Sequence, residues 1–147
     1  MSGATVTLRP VDEAGIEYVE RLLRENDLPA EDIRSKPDSF YVGYDGDDPV
    51  GVGGVEVYGS DGLLRSVVVE QSARGASVGT ALCEALETAA AADEVETLYL
   101  LTTTAAGFFE DRGYVRIERD DAPDTIRETT EFDSLCPVTA TCMRKHL

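Results

Sequence analysis

The chain has 147 residues, with 29 acidic against 13 basic side chains and a formal charge of −16. That length suits one domain, residues 1–147, able to bury a core without disulfide or metal support. So acidic a surface excludes nucleic acid and anionic lipid as partners, and no apolar run approaches the ~20 residues that cross a bilayer, so a soluble protein is expected.

Thr5 to Arg9 is predicted as a first strand that Pro10 stops, and Asp12 as the N-cap of a helix running to about Glu25. Ile16, Val19, Leu22 and Leu23 form the buried stripe of that helix. A polar connection containing Pro29 and Pro37 leads to strands at about Ser39–Tyr44, Val50–Tyr58 and Leu63–Glu70. Asp45-Gly46-Asp47-Asp48 and Gly59-Ser60-Asp61-Gly62 supply hairpin turns between them. A helix follows to about Ala92, with Val78, Ala81, Leu82, Ala85, Leu86 and Ala89 on one face. Glu96–Thr102 returns as a strand and completes a β-α-β crossover. Ala105 to Arg112 reads as a short helix bearing Phe108 and Phe109, with Gly113 as its left-handed stop. Tyr114–Arg119 is a strand, Asp124–Phe132 a helical insertion begun near Pro123, and Val138–Lys145 the last strand.

The most informative stretch is the passage from the third hairpin strand into the long helix. Arg74-Gly75-Ala76-Ser77-Val78-Gly79 joins an apolar strand to a helix N-terminus, where free N–H groups and the positive dipole end favour a phosphate or pyrophosphate. Gly75 and Gly79 permit close backbone approach, and Arg74 adds a charge-assisted contact. No Gly-Lys-Ser or Gly-Lys-Thr closes the loop, which excludes a Walker-type nucleotide site. An ordinary glycine-rich strand-to-helix connection is the plain alternative.

Together, Arg74, Ala76, Val78 and Gly79 in this loop and Phe108, Gly113 and Tyr114 further on resemble the GNAT superfamily of acetyl-CoA-dependent N-acetyltransferases. The resemblance implies an α/β (α+β) fold: a mixed, mostly antiparallel central sheet of six to seven strands, flanked by helices, with a β-α-β cofactor-binding core. It implies acetyl-CoA as cosubstrate, with no metal, held by Val67, Val68, Val69, Arg74, Gly75, Ala76, Ser77, Val78, Gly79, Thr80, Phe108 and Phe109. Splayed strands ending near Val69 and Thr102 would hydrogen-bond the pantetheine amides as a partner strand does. Two positions depart from the pattern. Ser77 replaces the loop's usual first glycine, and Phe109 replaces the tyrosine proposed in many members to protonate the departing thiolate. Phe109 has no proton to give, so direct protonation would fall to water or another hydroxyl.

A narrower resemblance rests on Leu98-Tyr99-Leu100-Leu101-Thr102-Thr103-Thr104-Ala105, on Phe108-Phe109, and on the tail from Ile126 to Pro137. These are similar to the arsenic-resistance N-acetyltransferase branch, whose acceptors include arsenical amino acids such as arsinothricin. The Leu-Leu-Thr-Thr stretch is also similar to the catalytic domain of N-acetylglutamate synthases. Both imply a small amine acceptor that resembles an amino acid. A coenzyme A-binding module without turnover is the non-enzymatic alternative.

Acetyl transfer needs an oxyanion donor, a base and a proton source. The N–H of Val67 is the candidate oxyanion donor. Glu56, inside an apolar strand, is the candidate base or else a solvent-facing glutamate. Arg65 and Ser66 alternate on their strand, so one at most faces the cleft: Arg65 to hold a substrate carboxylate, or Ser66 to orient the amine or relay a proton. Thr102 and Thr103 line the site or cap the next helix, and Arg127 overhangs it or belongs to a charged surface turn. Cys83, Cys136 and Cys142 have no C-x-x-C pairing or zinc-type spacing, and read as free thiols of a reducing cytoplasm. His146 is a solvated tail residue. The acidic surface is read as salt-adapted, as in a halophile, against which an anionic cofactor needs a local positive patch. A monomer and a homodimer are equally compatible with the sequence.

Overall fold

The computed structural model describes residues 6–26, 28, 30, 33–71, 78–103, 105–129 and 140–147. Among them, β1 (Thr7–Pro10), β2 (Phe40–Asp45), β3 (Asp48–Tyr58), β4 (Asp61–Val69), β5 (Thr97–Thr102), β6 (Val115–Ile117) and β7 (Thr141–His146) build a seven-stranded sheet. The strand order is β1-β2-β3-β4-β5-β7-β6, antiparallel throughout except for the parallel pair β4–β5. The expected mixed, mostly antiparallel sheet is therefore present. Helices α1 (Glu13–Glu25), α2 (Val78–Ala92), α3 (Ala106–Asp111) and α4 (Asp124–Arg127) complete the fold.

Local chemistry sets these elements. Asp12 caps α1, its carboxylate accepting from the Gly15 N–H at 2.7 Å. Gly59 turns the β3–β4 hairpin at φ 67° and Gly113 ends α3 at φ 96°, conformations that cost side-chain-bearing residues more. On one face of the sheet α2 packs Leu82, Leu86 and Ala90 against Val55, Leu64, Leu98, Leu100 and Met143. On the other, α1 packs Val19, Leu22 and Leu23 against Phe40, Val42, Val52 and Val68. Ile126 of α4 covers Leu63, Tyr99 and Cys142 on this same side. Each fully buried leucine contributes about 2 kcal/mol of transfer free energy.

Several boundaries differ from expectation. Pro10 does not stop β1 but ends it in register with Tyr41; an edge strand tolerates the missing donor. Two 3-10 turns, Ile33–Ser35 and Pro37–Ser39, occupy the connection before β2. The strand expected over Tyr114–Arg119 is shortened to Val115–Ile117 and followed by a 3-10 turn, Arg119–Asp121. The helical insertion is described only as α4, one turn long. The last strand begins at Thr141, and residues 130–139 lie outside the described set.

Two irregularities position the site. Between Val52↔Val68 and Gly54↔Arg65, one residue of β3 opposes two of β4, Ser66 and Val67, which is a β-bulge; Ser66 adopts φ 58° there. The β4–β5 ladder then runs only through Asp61↔Thr97, Gly62↔Leu98 and Leu63↔Tyr99. Beyond it β4 continues to Val69, while β5 stays paired with β7 as far as Thr102↔Thr141. The strands therefore part, opening a wedge at their C-terminal ends.

Candidate active site

The peptide groups along the wedge follow from strand alternation. Glu70 N–H donates to the Val50 carbonyl on β3 at 2.7 Å, so the peptide groups of Val69 and Val67 turn toward the side from which β5 withdraws. Val67 and Val69 place their side chains in the α2 cluster, whereas Val68 is buried in the α1 cluster and offers the wedge no side chain. At the mouth, a Cβ on Gly79 would lie 3.6 Å from the Phe108 ring and 3.7 Å from Val69, so the first turn of α2, the end of β4 and α3 converge. Val78 is buried and Thr80 half-buried beside Gly79. Arg74, Gly75, Ala76 and Ser77 lie outside the described residues.

The two phenylalanines divide. Phe108 is 38% exposed at the wedge mouth, while Phe109 is core, edge-on to Phe108 and to Tyr114. Tyr114 does not replace the missing phenol at the wedge. Its hydroxyl donates to Glu87 at 3.0 Å, and burial together with the Glu87 charge raises its pKa.

A buried polar chain lies on the α1 face. Glu56 is not a solvent-facing glutamate: it is 2% exposed, and both its oxygens are engaged. Arg65 Nη1 donates to Oε2 at 2.9 Å, Lys36 Nζ to Oε1 at 3.2 Å, and the Tyr58 hydroxyl also to Oε1. Phe40 stacks its ring 5.3 Å from the Arg65 guanidinium. The expected separation of Arg65 and Ser66 onto opposite faces does not occur, since Arg65 Nε donates to Ser66 Oγ at 3.1 Å. The left-handed backbone of Ser66 breaks the alternation and turns its side chain toward its neighbour. Sequence reasoning missed Lys36 and Tyr58. Tyr58 was legible two positions from Glu56 on one strand face, but nothing in the chain links Lys36 to a carboxylate twenty residues away.

The remaining candidates are spread out. Thr102 Oγ1 accepts from the Ala105 N–H at 3.0 Å and so caps the approach to α3; Thr103 is exposed. Arg127 is exposed and paired with Asp124 on its own turn. A cavity of about 400 Å³ lies where β6 ends and β7 begins, lined by Arg116, Arg119, Glu118, Asp120, Thr141 and Cys142. The Thr102↔Thr141 pair places it beside the wedge end of the sheet. Among the described residues no group of metal ligands converges, and no helix is long and apolar enough to cross a membrane.

Burial pushes the Cys83 thiol up to about 12 and the Cys142 thiol up to about 11, from an ordinary 9.0. Both are neutral at pH 7 and present no thiolate for a soft metalloid; Cys136 is outside the described residues. Above pH 9 the unfolded chain releases these protons while the folded protein holds them, so stability should fall as pH rises from 9 toward 11. Urea midpoints measured from pH 7 to 10.5 check this, and a flat profile would contradict the burial of both thiols.

Comparisons with known proteins agree with this fold. The family model described as an acetyltransferase (GNAT) domain matches residues 36–116. The chain is 35% identical over 100 residues to the uncharacterized N-acetyltransferase YjcF of Bacillus subtilis (strain 168), covering 65% of this chain and 71% of that one. A Neisseria gonorrhoeae N-acetylglutamate synthase complexed with coenzyme A and N-acetyl-glutamate superposes with TM-score 0.83 at 17% identity, over 99% of this chain and 36% of that one. A Mycobacterium tuberculosis protein in complex with CoA gives TM-score 0.78 at 19% identity, over 96% and 99%. This chain thus spans about a third of the synthase.

Proposed function

Because this chain belongs to the acetyltransferase (GNAT) family and is an acyltransferase, we propose that it moves the acetyl group of acetyl-CoA onto the amine of a small amino-acid-like acceptor. The observation that carries this reading is the parting of β4 from β5 after Leu63–Tyr99, next to the first turn of α2. A slot between strands presents peptide groups to a linear amide-bearing chain, and the helix end favours its diphosphate. The N–H of Val67 donates to the thioester oxygen as it gains charge, and the amine approaches from the α1 face. Arg74 offsets the repulsion of a −16 surface, which we read as salt-adapted.

For the acceptor, the sequence resemblance to arsenic-resistance enzymes favours an arsenical amino acid, and the likeness to N-acetylglutamate synthase favours glutamate itself. The cavity lined by Arg116, Glu118, Arg119 and Asp120, bearing both signs of charge, suits a zwitterion of either kind. Thiol release from acetyl-CoA in concentrated potassium chloride, with L-glutamate, other amino acids and arsinothricin as acceptors, separates the readings. Turnover of glutamate alone would favour the synthase-like alternative, and tight cofactor binding without any turnover a coenzyme A-binding module. Arg74→Ala should weaken acetyl-CoA binding by about tenfold, roughly 1.4 kcal/mol. Calorimetry showing an unchanged Kd would remove the loop from the site.

A further inference from the structure

Ser66 is the one residue of the sheet's strands, glycines aside, with a left-handed backbone among the described positions. Glycine would take φ 58° at no steric cost, yet the position carries a buried hydroxyl, on the part of β4 that lies beyond its last pair with β5, Leu63↔Tyr99. That hydroxyl is held in place. Arg65 Nε donates to Ser66 Oγ, Arg65 Nη1 is held by Glu56, and Glu56 is held by Lys36 and Tyr58. Since Arg65 has only donors to offer, Ser66 Oγ is the acceptor in that bond, and its own hydrogen is left to point elsewhere.

Among the described residues, three tyrosine hydroxyls near the fold's centre donate to carboxylates, Tyr58 to Glu56, Tyr18 to Glu70 at 2.6 Å and Tyr114 to Glu87, and Phe109 has no hydroxyl.

We infer that Ser66 is the proton shuttle of the acetyl transfer and that Arg65 is its positioning residue, resting on the acetyl-CoA reading above. As the acceptor nitrogen bonds to the carbonyl carbon and the carbon–sulfur bond breaks, the departing sulfur takes the Ser66 hydroxyl proton. The serine oxygen takes back a proton from the newly formed ammonium, directly or through one water. The net change is amine plus thioester to amide plus thiol, with serine restored and no further reactant. The Arg65 N–H stabilises the oxygen while it is short of its proton. Glu56, with both oxygens engaged, anchors Arg65 and does not take up the substrate's proton in this scheme.

Ser66→Gly separates this role from a structural one, because it relieves the backbone while removing the hydroxyl. The assay is thiol release from acetyl-CoA with hydroxylamine, an acceptor small enough to need no recognition pocket. Expected for Ser66→Gly are a kcat at least about 100-fold below wild type, an acetyl-CoA Kd within about twofold by calorimetry, and a melting temperature equal to or above wild type. Arg65→Lys should lower kcat in the wild-type background and change nothing further in the Ser66→Gly background, the mark of a residue acting through Ser66. A Ser66→Gly protein with kcat within threefold of wild type, or one whose melting temperature falls along with its rate, overturns the shuttle. A wild-type protein that binds acetyl-CoA but releases no thiol overturns the transferase reading itself.

Discussion

Glu56→Leu should destabilise the protein by about 3–5 kcal/mol, because it removes the carboxylate that lies against a fully buried guanidinium. Arg65 has no side-chain exposure and Glu56 has 3%, so neither charge can turn to water when the other is lost. Lys36 and the Tyr58 hydroxyl lose the same acceptor. At about 3 °C per kcal/mol for a chain of this size, the melting temperature should drop by roughly 10 °C. The control is Glu56→Leu combined with Arg65→Met, which removes both charges and should recover much of the loss, since apolar groups of similar volume replace a buried pair with little penalty. A single variant less than 1 kcal/mol below wild type in urea titrations would show that solvent reaches this cluster.

Gly51→Ala is expected to cost about 3 kcal/mol, at the upper end for one added methyl in a packed core. A Cβ there would sit 2.5 Å from the Val68 carbonyl oxygen and 3.3 Å from Val69 Cα, so the obstacle is backbone on the neighbouring strand. Gly53→Ala makes the informative comparison. Its Cβ also meets an atom at 2.5 Å, but that atom is a methyl of Leu86, which can rotate away, so its cost should be smaller. Relief at Gly51 requires moving Val68 and Val69, the strand edge that flanks the wedge, so acetyl-CoA affinity should fall in the same variant. Equal stability of the two variants, or a Gly51→Ala protein with unaltered Kd, would show that β4 yields without disturbing the wedge.

Most of the fold was legible because its signals are local. The capping aspartate and apolar stripe of α1, the periodic face of α2 and the stop at Gly113 each lie within a few residues, and the structure places them where the pattern did. The hairpins were legible for the same reason. The 3-10 turns before β2 and the shortening of β6 were not, because weakly periodic polar segments leave the choice to tertiary contacts. Around the candidate site the balance reverses. Period-two alternation set Arg65 and Ser66 apart, and the bulge that joins them depends on one backbone conformation that serine seldom adopts.

By itself, then, the sequence determined the β-α-β core, the helix end suited to an anion and the absence of a phenol at position 109, all matters of residue type and short-range order. Only the tertiary structure decided that Glu56 is buried between Arg65 and Lys36, and that β4 leaves β5 after Leu63. It also decided that the Ser66 hydroxyl is held by its neighbour. Those outcomes depend on register between strands and on side chains distant in the chain, and a carboxylate's partners become fixed only once packing has removed the water that would otherwise solvate it.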